Sequence, residues 1–227
     1  AEIVTDFDVI IAGTEQITAK IMDNCPKLKL ISRVGIGLDG VDLNAAKKRG
    51  IKVSYTPDAP TSAVAELTVG MMLTLLRSVH LSNIRMHEGE WHRYFGKRIA
   101  NSTVGIIGVG RIGKEVLKYL KSFNIAKILI NDLSRSEEFE QYDNIEWADK
   151  EKIYKAADII SLHLPLTHQT NNLIKKKELL MMKDDAVLIN TSRGGIVNEL
   201  DLYNVMNLGH LSAAAVEVFD NEPYHGP

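Results

Sequence analysis

The chain has 227 residues, of which 45% are hydrophobic and 25% are charged, and its formal net charge is -2. These values exclude a disordered tail and a fibrous repeat, and the lack of a basic excess argues against nucleic acids and membrane surfaces as partners. Because the chain has one cysteine, Cys25, it forms no intrachain disulfide, and we expect a cytoplasmic protein.

The two ends of the sequence suggest a longer protein. The chain opens at Ala1 without Met or the features of a signal peptide, and it ends at Pro227 directly after a turn-like Asn-Glu-Pro segment. We therefore expect segments to be missing at both ends.

Eight short runs rich in β-branched residues predict strands, because each is bounded by turn residues and followed by helical spacing. In chain order they are 8–12, 28–33, 51–55, 103–107, 127–131, 158–162, 186–190 and 212–218. Strands that alternate with helices form parallel sheets. The predicted fold class is α/β, with two Rossmann-like or flavodoxin-like domains, doubly wound parallel sheets and a cleft between the domains.

The boundary between the domains is predicted after the third strand. Pro57 and Pro60 interrupt the chain there, and a long apolar helix follows to about Arg77. A second helix is predicted over residues 81–90. We assign residues 1–60 to the first domain and residues 61–227 to the second.

A glycine-rich turn follows the fourth predicted strand. Gly108 permits a tight turn, Gly110 lets a pyrophosphate approach the backbone, and Gly113 lets the following helix pack closely on the strand. Asp132 closes the next strand, where a carboxylate accepts hydrogen bonds from a ribose diol and repels a 2′-phosphate. This pattern predicts NAD rather than NADP. The alternatives are a turn that merely needs glycine and an acid that only ends a strand; Arg135 weakens the discrimination against NADP.

Two chemically active residues follow later strands. They lie beyond the carboxyl ends of the strands, where parallel sheets bind their ligands. Arg193 lies in a glycine-flanked turn and could hold a substrate carboxylate or carbonyl through its planar guanidinium. Glu222 could orient a catalytic imidazole. The alternatives are a loop-capping arginine and a solvated turn acid.

Six motifs in the same order resemble the D-isomer-specific 2-hydroxyacid dehydrogenases, and within that family they are most similar to the enzymes that oxidise D-3-phosphoglycerate. The motifs are residues 33–39, 61–66, 108–113, 163–165, 190–195 and 218–223. The resemblance implies an incomplete substrate-binding domain at 1–60 and an NAD-binding Rossmann domain at 61–227. It also implies a homodimer formed through the NAD-binding domain.

The resemblance further implies the roles of individual residues. Arg193 and Glu222 fall on the family's catalytic Arg and Glu, whereas the catalytic His lies beyond the Glu-Pro motif and is not in this chain. Glu217 departs from the family's usual Asp, which contacts the nicotinamide. No metal site is implied. The implied substrate-binding residues are Arg33 and the amides of Val34 and Gly35; the implied cofactor-binding residues are Gly108, Gly110, Arg111, Ile112, Gly113, Asp132, His163, Pro165, Thr191 and Glu217.

The resemblance leaves three functions to compare. The first is oxidation of D-3-phosphoglycerate to 3-phosphohydroxypyruvate with NAD, a step of serine biosynthesis, and Arg33 favours it as a cation beside the substrate loop. The second is reduction of hydroxypyruvate or glyoxylate. The third is a non-catalytic, dinucleotide-sensing protein similar to transcriptional co-repressors.

Overall fold

The computed structural model describes residues 6–139 and 141–226, so the outermost residues of both predicted domains lie outside the described residues. The chain divides into two compact units, Ala1–Thr61 and Ser62–Pro227.

The first unit is a three-stranded parallel sheet with two helices. Its strands β1 (Val9–Ala12), β2 (Leu30–Arg33) and β3 (Lys52–Tyr55) pair in sequence order, and its helices are α1 (Ala19–Asp23) and α2 (Leu43–Lys48). Both helices pack on one face, around the fully buried Ile31. The other face is open within the described part of this unit, because Ile11 of β1 is 76% exposed.

The second unit is a six-stranded, wholly parallel sheet with the strand order β6-β5-β4-β7-β8-β9. The chain builds outward from β4 to β6 and then returns to the other side of β4 with β7, which creates a topological switch point between β4 and β7. The strands are β4 (Thr103–Ile107), β5 (Lys127–Asn131), β6 (Ile145–Trp147), β7 (Ile159–Leu162), β8 (Val187–Asn190) and β9 (Ala213–Val216).

Helices cover both faces of this sheet, as the doubly wound prediction requires. The helices are α3 (Thr61–Leu76), α4 (Val79–His87), α5 (Arg111–Leu120), α6 (Lys150–Ala156), α7 (Lys176–Leu179) and α8 (Glu199–Asn207). Alternate strand residues point to opposite faces, so Ile106 packs beneath α3 and α5 while Ile107 packs beneath α6, α7 and α8. The predicted α/β fold with parallel sheets is confirmed.

Two helices in sequence separate the first sheet from the second. Helix α3 ends at Leu76, and Ser78 takes a left-handed conformation (φ 52°) before α4 begins. No single helix among the described residues is long and apolar enough to span a membrane; α3 and α4, bent by 67°, pass that test of length and composition only as a pair.

Candidate active site

The glycine-rich turn between β4 and α5 is held by close backbone approach. A Cβ at Gly108, where φ is +97°, would overlap the carbonyl oxygen of His163, and a Cβ at Gly113 would overlap the carbonyl oxygen of Gly108. A Cβ at Gly110 would meet nothing within 4 Å. Packing within the protein therefore explains two of the glycines, and the third leaves the open space that a pyrophosphate needs.

The first turn of α5 borders this open space. Gly110 is the N-cap residue of α5, and the amide of Ile112 donates to no acceptor among the described residues. Amides of a first helical turn have no partner within the helix and point toward a bound anion. The turn thus fits a dinucleotide, with the helix N-terminus beside its phosphates.

Asp132 follows β5 and is bonded to the same turn. Its Oδ2 accepts from the Val109 amide at 2.6 Å, and its Oδ1 accepts from the Leu133 amide at 2.6 Å. A carboxylate offers about four acceptor sites, so two backbone bonds fix its orientation and leave capacity for a diol. The predicted role of Asp132 is compatible with this geometry.

His163 follows β7 and is held as a neutral imidazole. Its Nε2 lies 2.9 Å from the hydroxyl of the buried Ser161, and its Nδ1 is buried without a hydrogen-bond partner among the described residues. Burial lowers the pKa of His163 to about 4, because desolvation penalises the imidazolium. The ring therefore does not act as a proton carrier at neutral pH, and the predicted contact of His163 with the cofactor stays a prediction.

The segment after His163 is braced locally. The Pro165 carbonyl accepts from the hydroxyl of Thr170 at 2.6 Å, and the Thr167 amide donates to the same hydroxyl at 2.7 Å. Pro165 is exposed on this turn. Its predicted contact with the cofactor stays a prediction.

Asn190, the last residue of β8, holds the loop that carries Arg193. Its side-chain amide donates to the Arg193 carbonyl at 2.9 Å, and its Oδ1 accepts from the Ser192 amide at 3.1 Å and the Ser192 hydroxyl at 2.7 Å. The Arg193 guanidinium donates to the Ser192 carbonyl at 2.6 Å. The backbone on both sides of Arg193 is thus set by one buried side chain.

Thr191 was expected to contact the cofactor, but its side chain is directed into the protein. Thr191 is 5% exposed, and its hydroxyl lies 2.8 Å from the hydroxyl of Thr68 on α3. Because the Thr191 hydroxyl is buried and bonded to Thr68, it does not face a ligand. Any contact of Thr191 with a cofactor is therefore left to its backbone.

The loop after β9 packs against the Arg193 loop. A Cβ at Gly194 would overlap the Phe219 carbonyl, and Glu222 turns back so that its Oε1 accepts from the Phe219 amide at 3.1 Å. The pKa of Glu217 is raised, first by desolvation and then by the charge of Glu222. The structure thus brings the loops of Arg193 and Glu222 together.

In the first unit, the predicted pair of substrate-binding amides is already engaged. The Val34 amide donates to the Ala12 carbonyl at 2.8 Å, and the Gly35 amide donates to the Thr56 hydroxyl at 2.8 Å. The next two amides, of Ile36 and Gly37, donate to no acceptor among the described residues. Val34 still continues the strand pairing, so the amides without an acceptor begin two residues further along the loop.

Arg33 folds onto this same loop. Its Nη1 donates to the Val34 carbonyl, and its guanidinium lies beside Gly35, whose φ is +138°. One of its five N–H donors is used in this bond. Arg33 therefore contributes positive charge at the loop that carries the open amides.

Sequence reasoning did not identify Thr56, Thr68 or Asn190 as parts of these sites. Asn190 stood in a recognised motif, but its side-chain bonds depend on how the loop folds back. Thr68 is a polar residue in an apolar helix and is 0% exposed. A polar residue within an otherwise apolar helical segment was the one signal that the sequence offered.

A model of the D-isomer specific 2-hydroxyacid dehydrogenase NAD-binding domain matches residues 69–227. The chain belongs to this family. A D-lactate dehydrogenase from Aquifex aeolicus, solved with NAD and lactic acid, superposes with a TM-score of 0.87 at 31% identity and covers 95% of this chain and 65% of that one. The second unit is thus an NAD-binding domain.

Three curated relatives have three different names. A hydroxypyruvate reductase of Thermotoga maritima is 37% identical over 98% of this chain and 72% of its own length. A D-3-phosphoglycerate dehydrogenase of Methanocaldococcus jannaschii is 37% identical over 98% and 43%, and a glyoxylate reductase of Thermococcus litoralis is 36% identical over 99% and 70%. The three identities are nearly equal, so sequence similarity establishes the family but does not select one of these substrates.

The buried imidazole predicts a specific dependence of stability on pH. The unfolded chain binds a proton at His163 near pH 6.5, whereas the folded protein does so only near pH 4. Stability from this group is complete above pH 6.5 and is lost as the pH falls toward 4, at up to about 1.4 kcal/mol per pH unit. We expect His163→Gln to remove this slope.

The measurement is urea unfolding from pH 7 to pH 4.5, followed by tryptophan fluorescence, because both tryptophans lie in the second unit. His168→Gln is the matched control, since His168 is exposed nearby and should keep the wild-type slope. An unchanged slope in His163→Gln would contradict the assignment.

Proposed function

We propose that the protein is a cytoplasmic, NAD-dependent dehydrogenase of D-2-hydroxy acids that acts best on D-3-phosphoglycerate. The observation that carries the dehydrogenase assignment is the convergence of the cofactor turn with the loops of Arg193 and Glu222. All three follow strands of one parallel sheet, so they lie together at the carboxyl ends of its strands.

The second unit supplies the cofactor contacts and the polar groups for catalysis. NAD accepts or donates a hydride at its nicotinamide ring. The first turn of α5 would hold its phosphates and Asp132 its adenosine ribose. Arg193 would bind and polarise the substrate oxygen, because its backbone is fixed on both sides by Asn190.

Glu222 would orient a general-base imidazole and raise its basicity. One carboxylate oxygen is fixed by the Phe219 amide, so the group is held while acceptor capacity remains. Among residues 6–139 and 141–226, no histidine forms a hydrogen bond or an ion pair with Glu222. His163 is excluded as the base by its burial and its low pKa.

The first unit supplies the substrate carboxylate contacts. We assign these to the amides of Ile36 and Gly37, in place of the engaged amides of Val34 and Gly35. Two neighbouring N–H donors match the two oxygens of a carboxylate. Arg33, on the same loop, adds a cation that suits a second anionic group such as a phosphate.

A second copy of the chain would cover the apolar surface of α4 and the segment after it. Large apolar side chains are exposed between Val79 and Phe95, among them Ile84 at 51%, Trp91 at 78% and Phe95 at 98%. Such a concentration of exposed apolar groups is typical of an interaction surface. We propose a homodimer formed through this part of the NAD-binding domain.

The cofactor preference is tested by substituting Asp132. We expect the chain to bind NAD more tightly than NADP, and Asp132→Asn to weaken NAD by about 10- to 150-fold, since a charged hydrogen-bond acceptor is lost. Titration of both dinucleotides by calorimetry gives the constants. Asp143→Asn, an exposed acid after β5, is the control and should bind NAD like the wild type. Equal or tighter binding of NADP by the wild type would refute the assignment and point to Arg135.

The substrate preference is tested by removing the cation. With NAD bound, we expect 3-phosphoglycerate to bind more tightly than D-glycerate, and Arg33→Ala to weaken 3-phosphoglycerate selectively by about 10- to 150-fold. Because the substitution also removes the bond to Val34, the ratio of the two affinities is the informative quantity. Lys52→Ala, an exposed cation of β3, should leave the ratio unchanged. An equal loss for both ligands would favour hydroxypyruvate or glyoxylate as the substrate.

The homodimer is tested by light scattering after size exclusion. Two copies of 25.3 kDa give about 51 kDa, and we expect Trp91→Asp with Phe95→Asp to return the mass to that of one chain. Leu133→Asp, a control at a 95% exposed leucine elsewhere in the second unit, should leave the dimer intact. A wild-type monomer at micromolar concentration would reject the dimer.

A further inference from the structure

Thr68 is a buried polar side chain that the proposed function does not use. It lies in the middle of α3, where its neighbours Ala65, Val69 and Met72 belong to the apolar core, and it is 0% exposed. Burying a hydroxyl is unfavourable unless it is hydrogen-bonded. Its two bonds therefore indicate what the residue does.

The direction of these two bonds follows from counting protons. The Thr68 hydroxyl donates its one proton to the Val64 carbonyl at 2.8 Å, within the helix. In the 2.8 Å contact between the two threonine hydroxyls, Thr68 must then accept and Thr191 must donate. Within the part of the chain that the structure describes, the Thr191 hydroxyl has Thr68 as its one acceptor, whereas Thr68 keeps the Val64 carbonyl without Thr191.

This bond joins α3 to the start of the loop that carries Arg193. Thr191 is the first residue after β8, and the two residues after it are held by Asn190. The loop is thus fixed from within by Asn190 and from outside by Thr68. Helix α3 itself begins at Thr61, where the two units meet along the chain.

We propose that Thr68 is a positioning residue, which fixes the Arg193 loop to α3 and so sets where the guanidinium meets the substrate. The inference rests on the proposed function of Arg193. Thr68 itself touches neither substrate nor cofactor in this proposal. Its effect passes through the hydroxyl of Thr191 and the backbone of the loop.

Because Thr191 donates and Thr68 accepts, substituting each threonine should affect stability differently while breaking the same bond to the loop. Thr68→Val leaves the buried Thr191 hydroxyl without an acceptor, so the melting temperature should fall by about 3 to 10 °C. Thr191→Val leaves Thr68 bonded to Val64 and should lower it by no more than about 3 °C. The double variant has no orphaned donor and should recover most of the loss.

The mobility of the Arg193 loop should follow a different pattern across these variants from the melting temperature. We expect hydrogen exchange of the Ser192 amide to be at least about 10-fold faster in Thr68→Val, in Thr191→Val and in the double variant, because each lacks the bond to α3. Thr68→Ser keeps the hydroxyl and should exchange like the wild type. Thr74→Val, on the same helix, is the control, and exchange at Gly108–Gly113 should not change in any variant.

The second measurement is the affinity for oxalate, a planar analogue of a 2-keto acid. It is made on the full chain with NADH bound. Arg193→Ala should weaken oxalate by at least about 10-fold. Thr68→Val and the double variant should weaken it several-fold without changing NADH affinity, and Thr68→Ser should restore it.

The outcomes distinguish the role of Arg193 from the role of Thr68. If Arg193→Ala leaves oxalate binding unchanged, the proposed role of Arg193 fails. If Arg193→Ala weakens oxalate but the double variant binds it normally and exchanges slowly at Ser192, Thr68 serves stability alone and the positioning role is overturned.

Discussion

The second unit depends on one close approach of backbone, where the end of β4, the start of α5 and the end of β7 meet. At Gly108 and Gly113 no side-chain atom fits, because the carbonyl oxygens of His163 and Gly108 occupy the space. The turn therefore has one arrangement. The bond from the Val109 amide to Asp132 extends this constraint to β5, so the glycine-rich turn and the carboxylate after β5 are set together.

The loops that carry the polar groups are fixed by side chains bonded to backbone. Asn190 spans the Arg193 loop, and Glu222 accepts from the Phe219 amide in its own loop. Such bonds order the loops when the protein folds, so less ordering remains to be done when a ligand binds. The close packing of Gly194 on Phe219 then links the two loops, which makes the position of Arg193 depend on that of Glu222.

The sequence predicted most of the strands, because each is a short run rich in β-branched residues with turn residues at its ends. It missed β6, a three-residue edge strand with Glu146 at its centre, because an edge needs no such run. Motifs located the loops but not their hydrogen bonds. The Val34 and Gly35 amides, for example, are bonded to Ala12 and Thr56, which lie 22 and 21 residues away in sequence and meet the loop only in the fold.

The carboxylates at the amino ends of the second sheet's strands have different bonding partners from those at the carboxyl ends. At the amino ends of the strands, Asp158 is paired with a cation, since it accepts from the Lys183 ammonium at 2.9 Å as well as from the Thr103 amide at 2.7 Å. At the carboxyl ends, Asp132 and Glu222 accept from backbone amides, and within residues 6–139 and 141–226 neither carboxylate forms an ion pair. A charge that is held in place but not neutralised keeps its interaction energy for a ligand. The two ends of the sheet thus differ in what each carboxylate is bonded to: a cation and an amide at the amino ends, and backbone amides at the carboxyl ends.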